Sequence, residues 1–234
     1  MVVPIQRKIV YMSLQERAIA TKSSIVDGAA GVFEEVGYGS ASLSSVAARA
    51  GVTKGALYFH FKSKEELALA VIEAQHAMAT YEAKRVAEQG RSALSTMVLM
   101  CGSFGRQLVR EPIVRAGIRL TLEASAFGQS VTEPYNDWIR TMELLTRQGQ
   151  SEGEINDTVD AGAFSRYLVA SFTGVQMVSA ILTHRADVLA RIEEMWSILL
   201  PALVPEANRD GFLNLARLSV QETDPAEGGA PSAH

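Results

Sequence analysis

The segment from Ser42 to Phe61 holds the side chains best placed to do chemistry. Within it, Thr53-Lys54-Gly55-Ala56-Leu57-Tyr58-Phe59-His60 gathers a hydroxyl, an ammonium, a phenol and an imidazole. Read as a helix, Lys54 and Tyr58 are four apart and share one stripe, while Leu57 and Phe61 share another. The outer stripe suits a polyanion. A lysine near a helix start reaches a base edge or a phosphate, and the free N–H groups there favour phosphate oxygens. Tyr58 and His60 can donate to phosphate, and Gly55 lets a partner come close to the backbone. Lys62 and Lys64 extend the positive edge. Ser42 and Ser44, at the start of the preceding helix, are included with them. The candidate interface is therefore Ser42, Ser44, Thr53, Lys54, Gly55, Tyr58, His60 and Lys64. Taken singly, His60 reads as a surface histidine, Tyr58 as a packing aromatic and Lys54 as a solvated charge. Phe59 suits a place in the core and is left out of the set.

Those residues need a scaffold, and the spacing predicts a helical one. Ile25, Ala29, Val32, Phe33 and Val36 recur at three and four over a helix spanning 14–36, which Gly37 and Gly39 end. Ser42 or Ser44 caps a second helix, with Val46, Ala47 and Ala50 on its apolar side. Gly51-Val52-Thr53 makes a tight turn, and Thr53 caps a third helix over 54–61. Val46, Ala47, Ala50, Val52, Leu57 and Phe61 form the inward face. Two short helices about a glycine turn make a helix-turn-helix, whose second helix enters the major groove. Ser63 with Glu66 reads as a capping box opening a longer helix. Further helices are expected near 65–88, 92–110, 112–122, 133–151, 158–184 and 187–200, with a short one near 206–219. Ala124 to Thr132 reads as a flexible loop. No alternating run bounded by hairpin turns marks a strand.

Bulk properties agree. Residues 1–64 carry eight Lys/Arg against four Asp/Glu, while the remainder carries fourteen against twenty-two. A basic head on an acidic body assigns the polyanion to the head. Cys101, the one cysteine, lies in an apolar stretch and reads as a small buried hydrophobe. Met195–Val204 is about half a membrane span and contains Pro201. The chain is expected to be soluble and cytoplasmic, without a cofactor or metal. His60, His76, His184 and His234 are far apart, and no His-Glu-x-x-His or pair of cysteines is present. An enzyme is therefore not expected.

Val52-Thr53-Lys54-Gly55-Ala56-Leu57-Tyr58-Phe59-His60-Phe61, followed by Lys64-Glu65-Glu66-Leu67, strongly resembles the tetracycline-repressor (TetR) family. Ala29-Ala30, Phe33 and Gly37-Tyr38 match as well. A narrower likeness is to the γ-butyrolactone autoregulator receptors. It adds Leu67-Ala68-Leu69-Ala70, Glu73-Ala74-Gln75, Val114 to Leu120, Trp138 and Phe172-Thr173-Gly174-Val175-Gln176. The resemblance implies an all-α, TetR-like homodimer. Each protomer has a three-helix DNA-binding head and a larger helical domain for ligand binding and dimerisation. The expected divisions are an irregular lead-in at 1–12, the head at 13–64, the larger domain at 65–220 and a disordered tail at 221–234. It further implies a repressor of antibiotic or secondary-metabolite genes that leaves a palindromic operator on binding a butyrolactone, butenolide or furan. The alternative is a TetR-type regulator that responds to a different small molecule (furan, butenolide or antibiotic) or controls an efflux pump.

A sensor needs an apolar cavity with a few polar anchors. Trp138 lies near Ile139, Met142 and Leu145, and Thr173 and Gln176 lie in an otherwise apolar helix. Trp138 suits core packing or a pocket wall, Thr173 a bond to its own helix or to a ligand, and Gln75 the surface or a pocket. The resemblance points Gln75, Tyr81, Trp138, Thr173 and Gln176 to the ligand. Arg115 and Arg119, four apart, suit a pocket wall, solvent or structural pairing, with the last two favoured. Phe172, Val175, Val178, Ile181, Met195, Trp196, Leu199 and Leu200 suggest a helical face shared with a second copy.

Overall fold

The computed structural model describes residues 5–221, with side chains from Gln15 onward, and every regular element among them is helical. Two compact units divide the chain. The first runs through Ala79 and includes Glu111–Val131. The second comprises Thr80–Arg110 and the chain from Thr132.

The first unit opens with α1 (Ile5–Ser40). Residues 5–12, expected as an irregular lead-in, are helical: the run from Ile5 to Met12 contains neither glycine nor proline to stop a helix. Ile25, Ala29 and Phe33 are fully buried, as their spacing requires, whereas Val36 faces solvent. Gly37 kinks the last turn at φ 73°, a left-handed value that glycine adopts without penalty. α2 (Leu43–Arg49) and α3 (Lys54–His60) follow, then α4 (Lys64–Ala87), which continues past Ala79 without a break. The expected capping box at Ser63 is displaced by one residue. Ser63 accepts the Glu66 N–H at 3.0 Å, but Glu66 takes the Lys62 N–H, at 2.7 Å.

α5 (Ala93–Arg110) belongs to the second unit, but α6 (Pro112–Leu122) returns to the first. A single division at residue 64 therefore does not describe the compact units. The reason is packing and charge. Ala116 and Leu120 complete the core formed by Phe33, Leu57, Leu67 and Val71. Arg115 pairs with Glu34. Arg119 donates to Glu123 at 2.8 Å and to the Glu34 carbonyl at 2.8 Å. Glu123 in turn accepts the Tyr38 N–H at 2.9 Å. Burial alone would raise the Glu123 carboxyl pKa, but the bonds from Arg119 and Tyr38 outweigh it and hold the group below its usual value. Structural pairing, one of the readings of these arginines, is what the fold adopts, rather than a pocket wall or open solvent. At the α4–α6 crossing a β-carbon on Gly117 would lie 2.3 Å from Gln75 Cβ, so only glycine fits. The segment expected as a loop at 124–132 begins with a 3-10 turn at Ala124–Phe127, because the buried Phe127 ring packs 4.4 Å from Tyr38.

In the second unit α5 packs against α7 (Glu133–Ser151), α9 (Val188–Leu203) and α10 (Arg209–Ser219), and α8 (Ala161–Thr183) packs against α7 and α9. The α5 start, rich in unpaired N–H groups, is closed by carboxylates: Glu152 accepts from Ala93 at 2.9 Å and Glu154 from Leu94 at 3.1 Å. α10 lies so close to α5 that a β-carbon at Gly102 would meet the Ser219 carbonyl oxygen at 2.4 Å. Cys101 is buried, and burial pushes its thiol up to about 12, an inert hydrophobe as its sequence setting indicated. The tail expected to be disordered lies outside the described residues after Gln221.

Candidate functional site

The head's surface is built by two caps and one turn. Ser42 accepts the Ser45 N–H at 3.0 Å, and Ser45 Oγ accepts the Ser42 N–H at 3.3 Å, so α2 starts in a reciprocal box. Ser44 stands exposed beside it. Gly51, at φ 67°, turns the chain, and Thr53 then accepts the Ala56 N–H at 3.1 Å to start α3. Leu57 and Phe61 are buried, as are Val46 and Ala47, while Ala50 and Val52 pack partly buried against them. The two-face reading of the segment therefore matches the fold.

Lys54, Gly55 and Tyr58 share the exposed side of α3, and His60 is half-buried at its end. Phe59 departs from expectation. It is 74% exposed, with its ring edge-on to His60 at 5.2 Å. Position explains this: the buried stripe is already filled by Leu57 and Phe61, and Phe59 falls between them on the far side of the helix. The period of the stripe is the signal that places it outside.

Lys62 and Lys64 are largely committed to the fold. Lys62 Nζ donates to the Tyr58 and Phe59 carbonyls at 3.2 and 3.4 Å, closing the end of α3. Lys64 Nζ donates to the carbonyls of Tyr38, Gly39 and Ala41 at 2.8, 3.2 and 3.0 Å, and lies 4.4 Å from the Tyr38 ring centre. An ammonium has three donors, and all three are used. Lys64, expected on the interface, is instead a clamp on the end of α1.

Gly55 carries a different message. A β-carbon there would meet nothing nearer than Thr53 Oγ at 3.9 Å, and its φ is not in the left-handed range. The fold thus gains nothing from glycine at this position, although glycine inside a helix costs about 1 kcal/mol against alanine. The space it leaves lies outside the chain.

The second unit holds an aromatic stack. Phe104 on α5 lies 5.9 Å from Trp138 on α7 and 5.5 Å from Phe172 on α8, with planes tilted by 29° and 18°. Beside it the Tyr135 hydroxyl pairs with the Thr173 side chain. Burial raises the Tyr135 phenol pKa, and that bond works against the rise. Thr173 also donates to its own helix, to the Val169 carbonyl, at 2.8 Å. Gln176 is buried one turn after Phe172. Gln107, one turn after Phe104, has a buried Oε1 without a hydrogen-bond partner. Tyr135 and Gln107 are additions to the expected ligand residues. Their signal in the sequence is spacing: Tyr135 stands three before Trp138 on the same face, and Gln107 three after Phe104.

Of the five expected ligand residues, Trp138, Thr173 and Gln176 lie in this unit around one aromatic cluster. Gln75 is buried in the first unit, its side chain covering Gly117. Tyr81 is 67% exposed, because Ala79 and Val86, seven apart, mark the buried stripe of α4 and Tyr81 lies off it. The expected shared face is also revised. Phe172, Met195, Trp196 and Leu200 are buried within the chain, whereas Val178, Ile181, Leu182 and Ile198 are exposed.

Residues 25–71 match the family of bacterial regulatory proteins called tetR, and residues 91–205 match the tetracyclin repressor-like C-terminal domain. The A-factor receptor protein of Streptomyces griseus is 39% identical over 192 residues, covering 82% of this chain and 67% of the relative. Among solved structures, an ArpA-like gamma-butyrolactone receptor is 33% identical at a TM-score of 0.77, covering 88% of this chain and all of that one. CprB of Streptomyces coelicolor, solved with its biological operator sequence, is 33% identical at a TM-score of 0.78, over 88% of this chain and 100% of its own.

Gly55→Ala tests whether the fold needs that glycine. The variant is expected to be more stable by about 0.5–1 kcal/mol in urea denaturation. An unchanged or lower stability would mean that an internal contact requires the glycine after all.

Proposed function

We propose, from the premise that the chain belongs to the tetR family of bacterial regulatory proteins, that it is a ligand-responsive transcriptional repressor. It binds a palindromic operator as a homodimer and releases it on binding a γ-butyrolactone-like signal. It thereby controls antibiotic or secondary-metabolite genes in the cytoplasm. The observation that carries this reading is the outer face of α3. Lys54 and Tyr58 stand exposed on either side of a glycine that the fold itself does not use. A backbone that must come close to a base edge accounts for that glycine. No catalytic role is proposed. Among the described residues no group of His, Cys, Asp and Glu could hold a metal, and no helix is long and apolar enough to cross a membrane.

Dimerisation follows from what α8 and α9 leave uncovered. Gly174, Val178 and Ile181 lie at spacings of four and three on α8, with Leu182 beside them, and α9 exposes Ile198. Ile181 is 74% and Ile198 75% exposed. Apolar side chains at helical spacing on two neighbouring helices suit burial against the same surface of a second copy. One head reads one half-site, so two copies read a palindrome.

For the ligand, the aromatic stack offers an apolar wall, and Tyr135, Thr173 and Gln176 offer hydroxyl and amide groups to an oxygen-rich ring. The α4 helix begins four residues after the end of α3 and continues into the second unit, so a ligand that shifts it displaces the head. The ligand needs only a better fit to the released state than to the DNA-bound one. A coupling of about 1–3 kcal/mol weakens operator binding roughly 5–150-fold.

Three measurements check the parts of this reading. Lys54→Ala is expected to lower the magnitude of the salt slope of operator binding by about 0.9 for each phosphate that the ammonium neutralises, with folding intact; an unchanged slope places Lys54 off the DNA. Ile181→Asp is expected to give folded monomers by light scattering, because this side chain is exposed in the protomer. A variant that stays dimeric moves the interface elsewhere. Trp138→Ala is expected to keep operator affinity but to need far more butyrolactone for release. Release at the parent's concentration would remove Trp138 from the ligand site.

A further inference from the structure

An exposed phenylalanine on the face of α3 that carries Lys54 and Tyr58 calls for a partner. We infer that Phe59 reads a thymine, packing its ring on the 5-methyl group in the major groove. The inference rests on the operator-binding reading above. Gly55 and Phe59 are four apart and share one stripe of α3. At Gly55 the chain leaves open space, so the helix can sink toward the bases there. One turn on, Phe59 projects from that stripe and is 74% exposed.

The backbone that carries the ring is anchored. The Phe59 carbonyl accepts from Lys62 Nζ at 3.4 Å, and the Lys62 N–H is fixed by Glu66 at 2.7 Å. His60 meets the ring edge-on, with planes at 88°.

Chemistry selects the base. A phenyl ring has neither donor nor acceptor, so against guanine, adenine or cytosine edges it would cover polar groups without pairing them. The thymine methyl is the one apolar feature of the major-groove edges. Phe59 would thus add sequence discrimination, whereas Lys54 and Tyr58 add affinity through phosphate.

The test uses the full-length chain and a pool of randomised duplexes. The parent protein selects its operator from the pool, and each dT of the selected operator is then replaced singly by dU, which removes only the methyl. We expect one or two positions per half-site at which dU weakens binding about fourfold, and about fifteenfold when both half-sites are changed. Phe59→Ala should bind the dT and dU operators alike, with an unaltered circular dichroism spectrum, while Lys54→Ala should keep the discrimination. A flat dU scan with the parent protein would overturn the inference and leave the operator reading standing. So would a Phe59→Ala variant that retains the dU penalty. If the parent enriches no duplex at all, both fall.

Discussion

The carbonyl end of α1 is the constraint on which the head depends. A helix leaves its last carbonyls without intrahelical partners, and here Gly37 also bends the chain, so those groups point at neighbouring elements. Lys64 takes the carbonyls of Tyr38, Gly39 and Ala41, which fastens α1 to the start of α4. Glu123 takes the Tyr38 N–H, and Arg119 takes the Glu34 carbonyl and Glu123 together, which fastens α1 to α6. The Arg119 guanidinium lies 2.5 Å from where a β-carbon at Gly37 would stand, so the kink places the α1 end directly against this arginine. Charged donors on backbone acceptors are stronger than neutral ones. α2 and α3, only seven residues each, have little stability of their own and rest on this frame.

Much of this is legible in the sequence, for a physical reason. Helix periods and caps are local, and Ser42, Thr53 and Ser63 announce their helices within four residues. The division of α3 into faces follows from spacing alone. What is not legible depends on long-range partners. Lys64 reads as part of the basic interface until the end of α1, more than twenty residues earlier, is brought beside it. α6 reads as part of the larger domain until Arg115 and Arg119 meet Glu34 and Glu123. Trp196 and Phe172 read as interface residues because apolar periodicity cannot tell a protomer's core from a shared one. Phe59 differs from these, since no distant partner is involved: its residue type suggests the core, while its position on the helix puts it outside.

Comparison of three glycines shows which of them the fold itself explains. Gly37 has a left-handed φ and an arginine against it, and Gly117 has Gln75 against it, so the structure explains both from within. Gly55 has neither. The same question applied to polar atoms points at the second unit. A buried polar group without a partner costs free energy. Tyr135 and Thr173 satisfy one another there, while the buried Gln107 Oε1 has no partner.

The two surfaces therefore ask different things of their residues. On α3 the binding chemistry is displayed on side chains that the fold does not need, so an operator preference can change there without disturbing the core. In the second unit the aromatic stack belongs to the packing between α5, α7 and α8, and Phe172 is buried in it. A ligand that lodges against Trp138 must share space with core packing, and closely packed interiors do not deform gradually. If the signal binds where we propose, it would favour one discrete arrangement of helices over another, which is the property a release switch needs.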